Sequence, residues 1–381
     1  MRILHLADLH LGKRLGNISL CPDQEYILQE ILRLIKEYTP DALLLAGDIY
    51  DRSTPATDAV EMFDEFLTRL VELKIPVLAI SGNHDSPERL DFASRIISHQ
   101  GIHVAGSFNG NIKEIELMDE HGPVFFHLLP FIRPAHVRRF FPQDELPSYD
   151  AACRRVLDTS PRRPGCRYVL LAHQFVTNNG QSPERSDSEQ ISVGGVDNID
   201  SSAFAGYSYV ALGHIHKAQT AGNEFIRYAG SPLKYSFSEV NHHKSVPLVE
   251  IDAAGQASVE LIPLNPLHDM RRIKGPLEKL LSTEVAGAAD RNDYLQVVLT
   301  DEEDLVAPLD CLRHIYPNVL KLDFANSRSQ LNEDDSLAPA RISKSPEEMF
   351  RDFYKLQQNI EPAPEKMAIV RDIFAKLEGE K

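Results

Sequence analysis

The chain has no tryptophan, and its 381 residues include only four cysteines, Cys21, Cys153, Cys166 and Cys311. No two of them form a Cys-x-x-Cys pair. A chain of this length does not need covalent staples, so free thiols in a reducing compartment are expected rather than a disulfide framework or a thiolate zinc knuckle. No apolar run approaches the roughly 20 residues that cross a bilayer, which argues against an integral membrane protein. The opening MRILHLADLHLG makes a poor signal peptide, because its short apolar run is broken by Asp8 and two histidines. A cytoplasmic protein is therefore expected. There are no low-complexity tracts and no repeats at a solenoid period. Basic residues are the scarcer sign: 40 Lys and Arg against 56 Asp and Glu, a formal net charge of −16. That balance argues against a passive, wholly basic nucleic-acid binder. It leaves room for an enzyme that grips phosphate through metal ions and local basic patches.

The length suits two or three domains, and a hydrophobic content of 43% is enough for a sizeable core. The first two-thirds alternates short apolar strands with amphipathic helices. Strands are expected over Arg2–Ala7, Ala42–Ala46, Pro76–Ile80, Val124–Leu129, Tyr168–Ala172, Tyr207–Leu212, Phe225–Ala229 and Val246–Ile251. A helix over Glu25–Glu37 would bury Leu28, Ile31, Leu32 and Ile35. A second, over Asp58–Lys74, would bury Val60, Phe63, Phe66, Leu67 and Leu70. This order implies an α/β sandwich over residues 1–265. Composition shifts near Pro263–Pro266. A small α/β domain is expected over 266–330, with strands at Met270–Lys274, Tyr294–Thr300 and Val319–Ala325 and helices near Leu277–Leu281 and Leu305–Ile315. Residues 331–381 would supply the rest of a polar linker (Asn326–Lys344) and two helices, the first opened by Ser345-Pro346-Glu347-Glu348, a capping box with Pro at its first turn.

The polar residues fall in a telling pattern. Asp8 and His10 follow the first strand, Asp48 the second, and Asn83-His84-Asp85 the third. His173 ends a later strand, and His214 and His216 follow another. Ligands of open α/β sheets bind at that carboxyl edge. These are oxygen and imidazole donors without a thiolate, a set suited to Mn, Fe, Zn or Mg-like ions. Seven candidates, Asp8, His10, Asp48, Asn83, His173, His214 and His216, exceed one tetrahedral site and suit two ions sharing a bridge. Asp48 is the natural bridge, because a carboxylate can use both oxygens. Two divalent ions against two carboxylates leave about +2, a charge suited to clamping a phosphoryl group and activating the nucleophile. Each motif alone is weak: Asp-x-His is more often structural, Gly-Asp is a common turn, and Gly-His-x-His could be a surface loop. Their order, each after a strand, is specific.

That order of D-x-H, GD, GNHD, H and GHxH resembles the calcineurin-like metallophosphoesterases. Residues 48–51 with Pro55, residues 82–86, residues 211–219 and residues 228–232 narrow the resemblance to a nuclease branch working with SMC-like ATPases. The resemblance implies a metallophosphoesterase αββα sandwich with a small α/β capping domain and C-terminal helices. It implies two divalent metal ions, most often Mn²⁺, one held by Asp8, His10 and His216 and the other by Asn83, His173 and His214, with Asp48 between them. His84 would be catalytic, stabilising charge or protonating the leaving 3′ oxygen, and Asp85 would orient a ligand from behind. Implied partners are DNA, an SMC-like ATPase and a second copy of the chain. Implied activities are 3′→5′ exonuclease action on duplex ends and endonuclease action on hairpins or single strands, in DNA repair, recombination and replication. The alternative is a phosphatase or nucleotide phosphodiesterase of the same chemistry, and a metal-free scaffold is the non-enzymatic reading. Asp51 departs from archaeal and eukaryotic relatives, which commonly carry His there.

Three further features invite a role. Arg133, Arg138, Arg139, Arg154, Arg155, Arg162, Arg163 and Arg167 could form either a solvated face or a phosphate-tracking surface. The Thr177–Asn198 loop is long enough to be functional or disordered. His5 is expected to pack within its strand, and His242-His243 to lie near the site with no assigned role.

Overall fold

Arg2–Leu6, Ala42–Ala46, Val77–Ile80 and Ile102–Ala105 lie parallel and adjacent, because such near-continuous apolar runs suit strands covered on both faces. Ser245–Ile251 and Ala257–Pro263 extend this sheet antiparallel beside Arg2–Leu6. A second six-stranded sheet runs in the order Gln219–Ala221, Asn223–Tyr228, Tyr209–Gly213, Arg167–His173, Gly122–Leu129, Lys113–Asp119. Its four central strands are parallel. The computed structural model describes residues 1–189, 197–326, 346–358 and 361–379. Among these, no helix is long and apolar enough to cross a membrane.

The two-residue period of the strands builds the layers. Ile3, Ala42, Leu44, Leu78 and Ile80 of the first sheet meet Val124, Phe126, Leu128, Val169, Leu171, Tyr209 and Ala211 of the second in one buried layer. Leu170, Ala172, Val210 and Leu212 face the other way and pack with Ala152, Cys153 and Val156 of the helix Tyr149–Leu157. Helices Cys21–Tyr38 and Thr57–Glu72 pack on one another. The architecture is an α/β sandwich. All four cysteines are free, and only Cys153 is fully buried.

Several expectations need correction. Val60 is 43% exposed and Ala59 is buried instead, while Leu32 and Leu67 are only half-buried. The first helix starts at Cys21 rather than Glu25, with Pro22 in its first turn, where a missing N–H costs nothing. The edge strand Lys113–Asp119 was not expected, because its charged alternation (KEIELMD) leaves every residue at least partly exposed. Ile102–Ala105 and Ala257–Pro263 are further strands without a clear sequence signal.

Contacts divide the chain into Met1–Met270 and Arg271–Lys381. The second unit contains a three-stranded sheet, Met270–Gly275, Tyr294–Leu299 and Val319–Phe324 in that order. Leu280, Ala286, Leu295, Val297, Leu299, Leu312, Tyr316 and Val319 form its core. The helix expected over 305–315 is shorter, Pro308–Arg313. Helices Pro346–Gln358 and Pro364–Gly379 pack together, with Arg371 3.2 Å from Glu347 and Lys366 bonded to the Tyr354 hydroxyl. Residues 327–344 of the expected linker lie outside the described residues.

Candidate metal centre

Five strands, drawn from both sheets, end at one place. Just past their ends the backbone takes an uncommon form: Asp8 (φ 54°), His10 (φ 45°), Asp48 (φ 50°) and His214 (φ 100°) all lie in the left-handed region. Such a conformation costs on the order of 1–3 kcal/mol per residue and persists only where surrounding contacts fix it. Here they do. The Asp8 amide bonds to Gly47 O, the His10 amide to Asp48 O, and the Leu11 amide to Ile49 O, so the first two loops are zipped together. Close approach of the strand ends also requires glycine. A Cβ on Gly82 would sit 2.1 Å from Asp48 Oδ1, and one on Gly213 would sit 2.0 Å from Ala46 O.

The seven expected ligand residues converge. His10 Nε2 and His216 Nε2 are 3.1 Å apart, and Asp8 lies with them within coordinating range. His173 Nε2 is 3.0 Å and His214 Nδ1 2.9 Å from Asn83 Oδ1. Asp48 Oδ2 stands between the two groups, 3.3 Å from His173 Nε2 and 3.7 Å from His10 Nε2. Asp8 is as central as Asp48, since both of its oxygens accept the His214 amide (3.0 and 3.1 Å) and it also groups with Asp48 and His173. Six of the seven are buried, and Asn83 is half-buried. His84 is half-exposed beside them, its ring 4.8 Å from that of His10. Its amide donates to Asp48 Oδ1 and its Nδ1 bonds to Asp51 O at 2.9 Å, so Nε2 is the atom left for chemistry.

Electrostatics favour cations here. Burial holds His214 and His216 down at about 3 and lowers His10 as well, so these rings stay neutral and keep a lone pair for a metal. Burial pushes the Asp8 carboxyl up to about 8, and the neighbouring Asp48 charge adds to this. Burial opposes a charged His173, but the charge and hydrogen bond of Asp48, the Asp8 charge and the bond to Ala46 O together outweigh it and raise the ring to about 9. A buried pocket with two carboxylates needs positive charge, which protons on Asp8 and His173 can bring and divalent ions can bring better. Paired imidazole nitrogens and a shared carboxylate are donors fitted to such ions.

Other residues hold this arrangement. Among the described residues, Asp85 makes no hydrogen bond to the side chain of an expected ligand residue. Its carboxylate accepts the amides of Gly82 (2.9 Å), Ile49 (3.2 Å) and Tyr50 (2.9 Å), tying the Asp48 and Asn83 loops together through their backbone. Gln24 donates to Leu9 O and His10 O, and Tyr235 donates its hydroxyl to Leu9 O. Asp51 lies 2.8 Å from Lys13 Nζ and 3.5 Å from His10 Nδ1. Behind His216 stand Ser188, Glu189, Glu239 and Lys244. Sequence reasoning singles out Asp85 and Asp51 but misses Gln24, Tyr235, Lys13, Ser188, Glu189, Glu239 and Lys244. The only signals were a glutamine on the buried stripe of a helix and charged residues inside an apolar stretch.

The arginine stretch is mostly engaged internally. Arg154 pairs with Asp150, Arg155 with Asp144, Arg163 with Glu114 and the buried Arg167 with Asp119, while Arg162 bonds to Ala205 O. Only Arg133, Arg138 and Arg139 remain exposed with no ion pair among the described residues. His5 packs as expected, buried with Nδ1 3.0 Å from the Tyr209 hydroxyl. His242 is buried 3.9 Å from Glu239, and His243 is exposed. Within the Thr177–Asn198 loop, residues 190–196 lie outside the described residues.

Residues 1–218 match the calcineurin-like phosphoesterase family, and residues 266–358 match the type 5 capsule protein repressor C-terminal domain. The D subunit of the SbcCD nuclease of Staphylococcus epidermidis is 32% identical over 360 residues, covering 93% of each chain. Likeness to solved structures is weaker. TT1561 of Thermus thermophilus gives a TM-score of 0.38 at 13% identity, over 68% of this chain and 98% of that one. A dimetal phosphatase from Danio rerio gives 0.37 at 13%, over 65% and 92%. Likeness this distant carries no functional weight.

Proposed function

Since the chain belongs to the calcineurin-like phosphoesterase family, within the branch that holds the D subunits of SbcCD nucleases, we propose that it is a two-metal DNA nuclease. The observation that carries this reading is the convergence of Asp8, His10, Asp48, Asn83, His173, His214 and His216 from two sheets, with half-exposed His84 on the rim. Asp8, His10 and His216 would hold one ion and Asn83, His173 and His214 the other, with Asp48 shared. When bound, the ions would neutralise the phosphodiester and lower the pKa of an attacking water. His84, anchored through Nδ1, offers Nε2 to the substrate, where it can stabilise charge or give a proton to the leaving 3′ oxygen. Asp85 and Gln24 fix the loops, so the ligands need not reorganise.

The ion is Mn²⁺ in this reading, and the products come from 3′→5′ exonuclease action on duplex ends and endonuclease action on hairpins or single strands. The protein would act in the cytoplasm as a homodimer with an SbcC-type SMC-like ATPase, in repair and recombination. The small α/β domain would cap the nuclease domain, and the terminal helices would bind the ATPase. They carry exposed Phe353, Ile369 and Ile373, apolar groups suited to a helical partner. A simple phosphatase would need only the first two-thirds of the chain, whereas the relationship extends over 93% of it.

Cleavage of linear duplex, hairpin DNA and p-nitrophenyl phosphate should be compared with Mn²⁺ and Mg²⁺, with and without the ATPase. DNA cleavage that Mn²⁺ supports and Asp48→Ala abolishes, with loss of bound metal, is expected. Hydrolysis of p-nitrophenyl phosphate with DNA left intact under every condition would reject the nuclease reading.

A further inference from the structure

The part of the long loop before residue 190 is docked onto the site. Glu184 N donates to Gln219 Oε1 (2.9 Å), Gln219 Nε2 donates back to Glu184 O (2.7 Å), and Lys217 pairs with the Glu184 carboxylate. Asp187 N donates to Ser238 Oγ at 2.9 Å. The segment then reaches His216 twice. Glu189 Oε1 accepts the His216 amide at 2.8 Å and is steadied by the Ser186 hydroxyl at 2.8 Å. Ser188 Oγ lies 2.7 Å from His216 Nδ1 and 2.6 Å from Glu239 Oε1.

The direction of that chain follows from its far end. Glu239 is fully buried, its Oε2 receives the Lys244 ammonium at 2.7 Å, and its Oε1 also accepts the Tyr235 amide at 3.2 Å. It is therefore an ionised acceptor with no proton to give. The Ser188 hydroxyl must donate to Glu239, so its oxygen accepts from His216. Nδ1 then carries the ring proton, and Nε2, facing His10 and Asp8, carries the lone pair. Lys244 also donates to His216 O (2.9 Å) and Ser231 Oγ (2.8 Å), completing the cage.

We propose that Glu184–Glu189 is a latch on the metal centre. Ser188 and Glu239 act as positioning residues that select the ligating tautomer of His216, and Glu189 holds its backbone. Latch docking and ion binding at the Asp8–His10–His216 group are consequently linked, each favouring the other. This rests on the two-ion reading above and adds to it residues that touch neither substrate nor metal.

Metal content by plasma emission and Mn²⁺ affinity by calorimetry should be measured on the full chain and on Ser188→Ala and Ser188→Thr. The wild type should take two ions. Ser188→Ala should weaken one of them by about 10–100-fold, the usual effect of losing an outer partner of a metal-bound histidine, and leave the other unchanged. Ser188→Thr, which keeps the hydroxyl, should restore it. Mn²⁺ should also slow tryptic cleavage after the exposed Arg185 in the wild type but not in Ser188→Ala. A wild type that binds fewer than two ions would reject the underlying two-ion reading. Two ions in the wild type with unchanged affinity and unchanged protection in Ser188→Ala would overturn the latch alone.

Discussion

Asp85 is only 5% exposed, and it carries more of the centre than a sequence reading suggests. Its Oδ2 accepts two amides, Ile49 and Gly82, and its Oδ1 accepts Tyr50. Truncation to alanine strands three donors. Unpaired buried donors cost about 1–3 kcal/mol each. The Ile49 and Gly82 bonds are buried and the Tyr50 bond is part-buried. Burial pushes the Asp85 carboxyl up to about 6, with the Asp48 charge adding, so part of the gain from these bonds is already spent on keeping it ionised. Asp85→Ala should therefore cost about 3–5 kcal/mol of stability. Asp85→Asn can keep its carbonyl on the Ile49 and Gly82 side and turn its NH₂ toward Tyr50, so it should cost about 1–2 kcal/mol. Urea denaturation of chelator-treated protein at pH 7 measures both. Metal content should fall in the alanine variant, because Ile49 follows Asp48 and Gly82 precedes Asn83. An alanine variant within about 1 kcal/mol of wild type, or an asparagine variant equally damaging, would refute this account.

His84→Gln should retain both ions by plasma emission and slow cleavage by about 10²–10⁴-fold, the range for lost proton transfer; loss of metal would make His84 a ligand. Burial, with Arg227 adding, holds His5 down at about 3, while an unfolded histidine titrates near 6.5. The unfolded state thus binds the extra proton between those values, and the stability from neutral His5 is full above about 6.5 and fades as pH falls toward 3. His5→Gln should flatten that loss by about 1.4 kcal/mol per pH unit below 6.5, read from urea midpoints at pH 7 and 5. Removing residues 345–381 should leave Mn²⁺-dependent cleavage of simple substrates intact and abolish co-purification with the SbcC-type ATPase; unchanged affinity by calorimetry would count against a partner-binding role.

Much of this was legible because the informative signals were local. Arg2–Leu6 and Ala42–Ala46 announce themselves by apolar runs that end in turns bearing Asp8 and His10 or Asp48. Lys113–Asp119 did not, because an edge strand with partly exposed residues has no apolar face to read. The expected ligand residues could be read from their position after strands. Their support could not, since Ser188 and Glu239 lie 28 residues before and 23 after His216 and meet it only in three dimensions. The arginines could not be assigned to either of their two readings for a related reason. Sequence shows their density, but not that Asp119, Asp144, Asp150 and Glu114 stand opposite them.

Backbone strain links the fold to the chemistry. A strand that simply continued would alternate its side chains and send Asp8 and His10 over one face of the sheet. The left-handed residues Asp8, His10 and Asp48 instead kink the chain at the sheet edge, where the second sheet's Arg167–His173 and Tyr209–Gly213 also end. The conformational cost, on the order of 1–3 kcal/mol for each such residue, is met by contacts made entirely of protein. They are the zipped amides of Asp8, His10 and Leu11, the Gln24 amide on Leu9 O and His10 O, and the three amides on Asp85. None of these contacts needs a metal ion. The arrangement of the expected ligand residues is thus a property of the folded chain, which places donors suited to cations in advance, with neutral imidazoles at His10, His214 and His216.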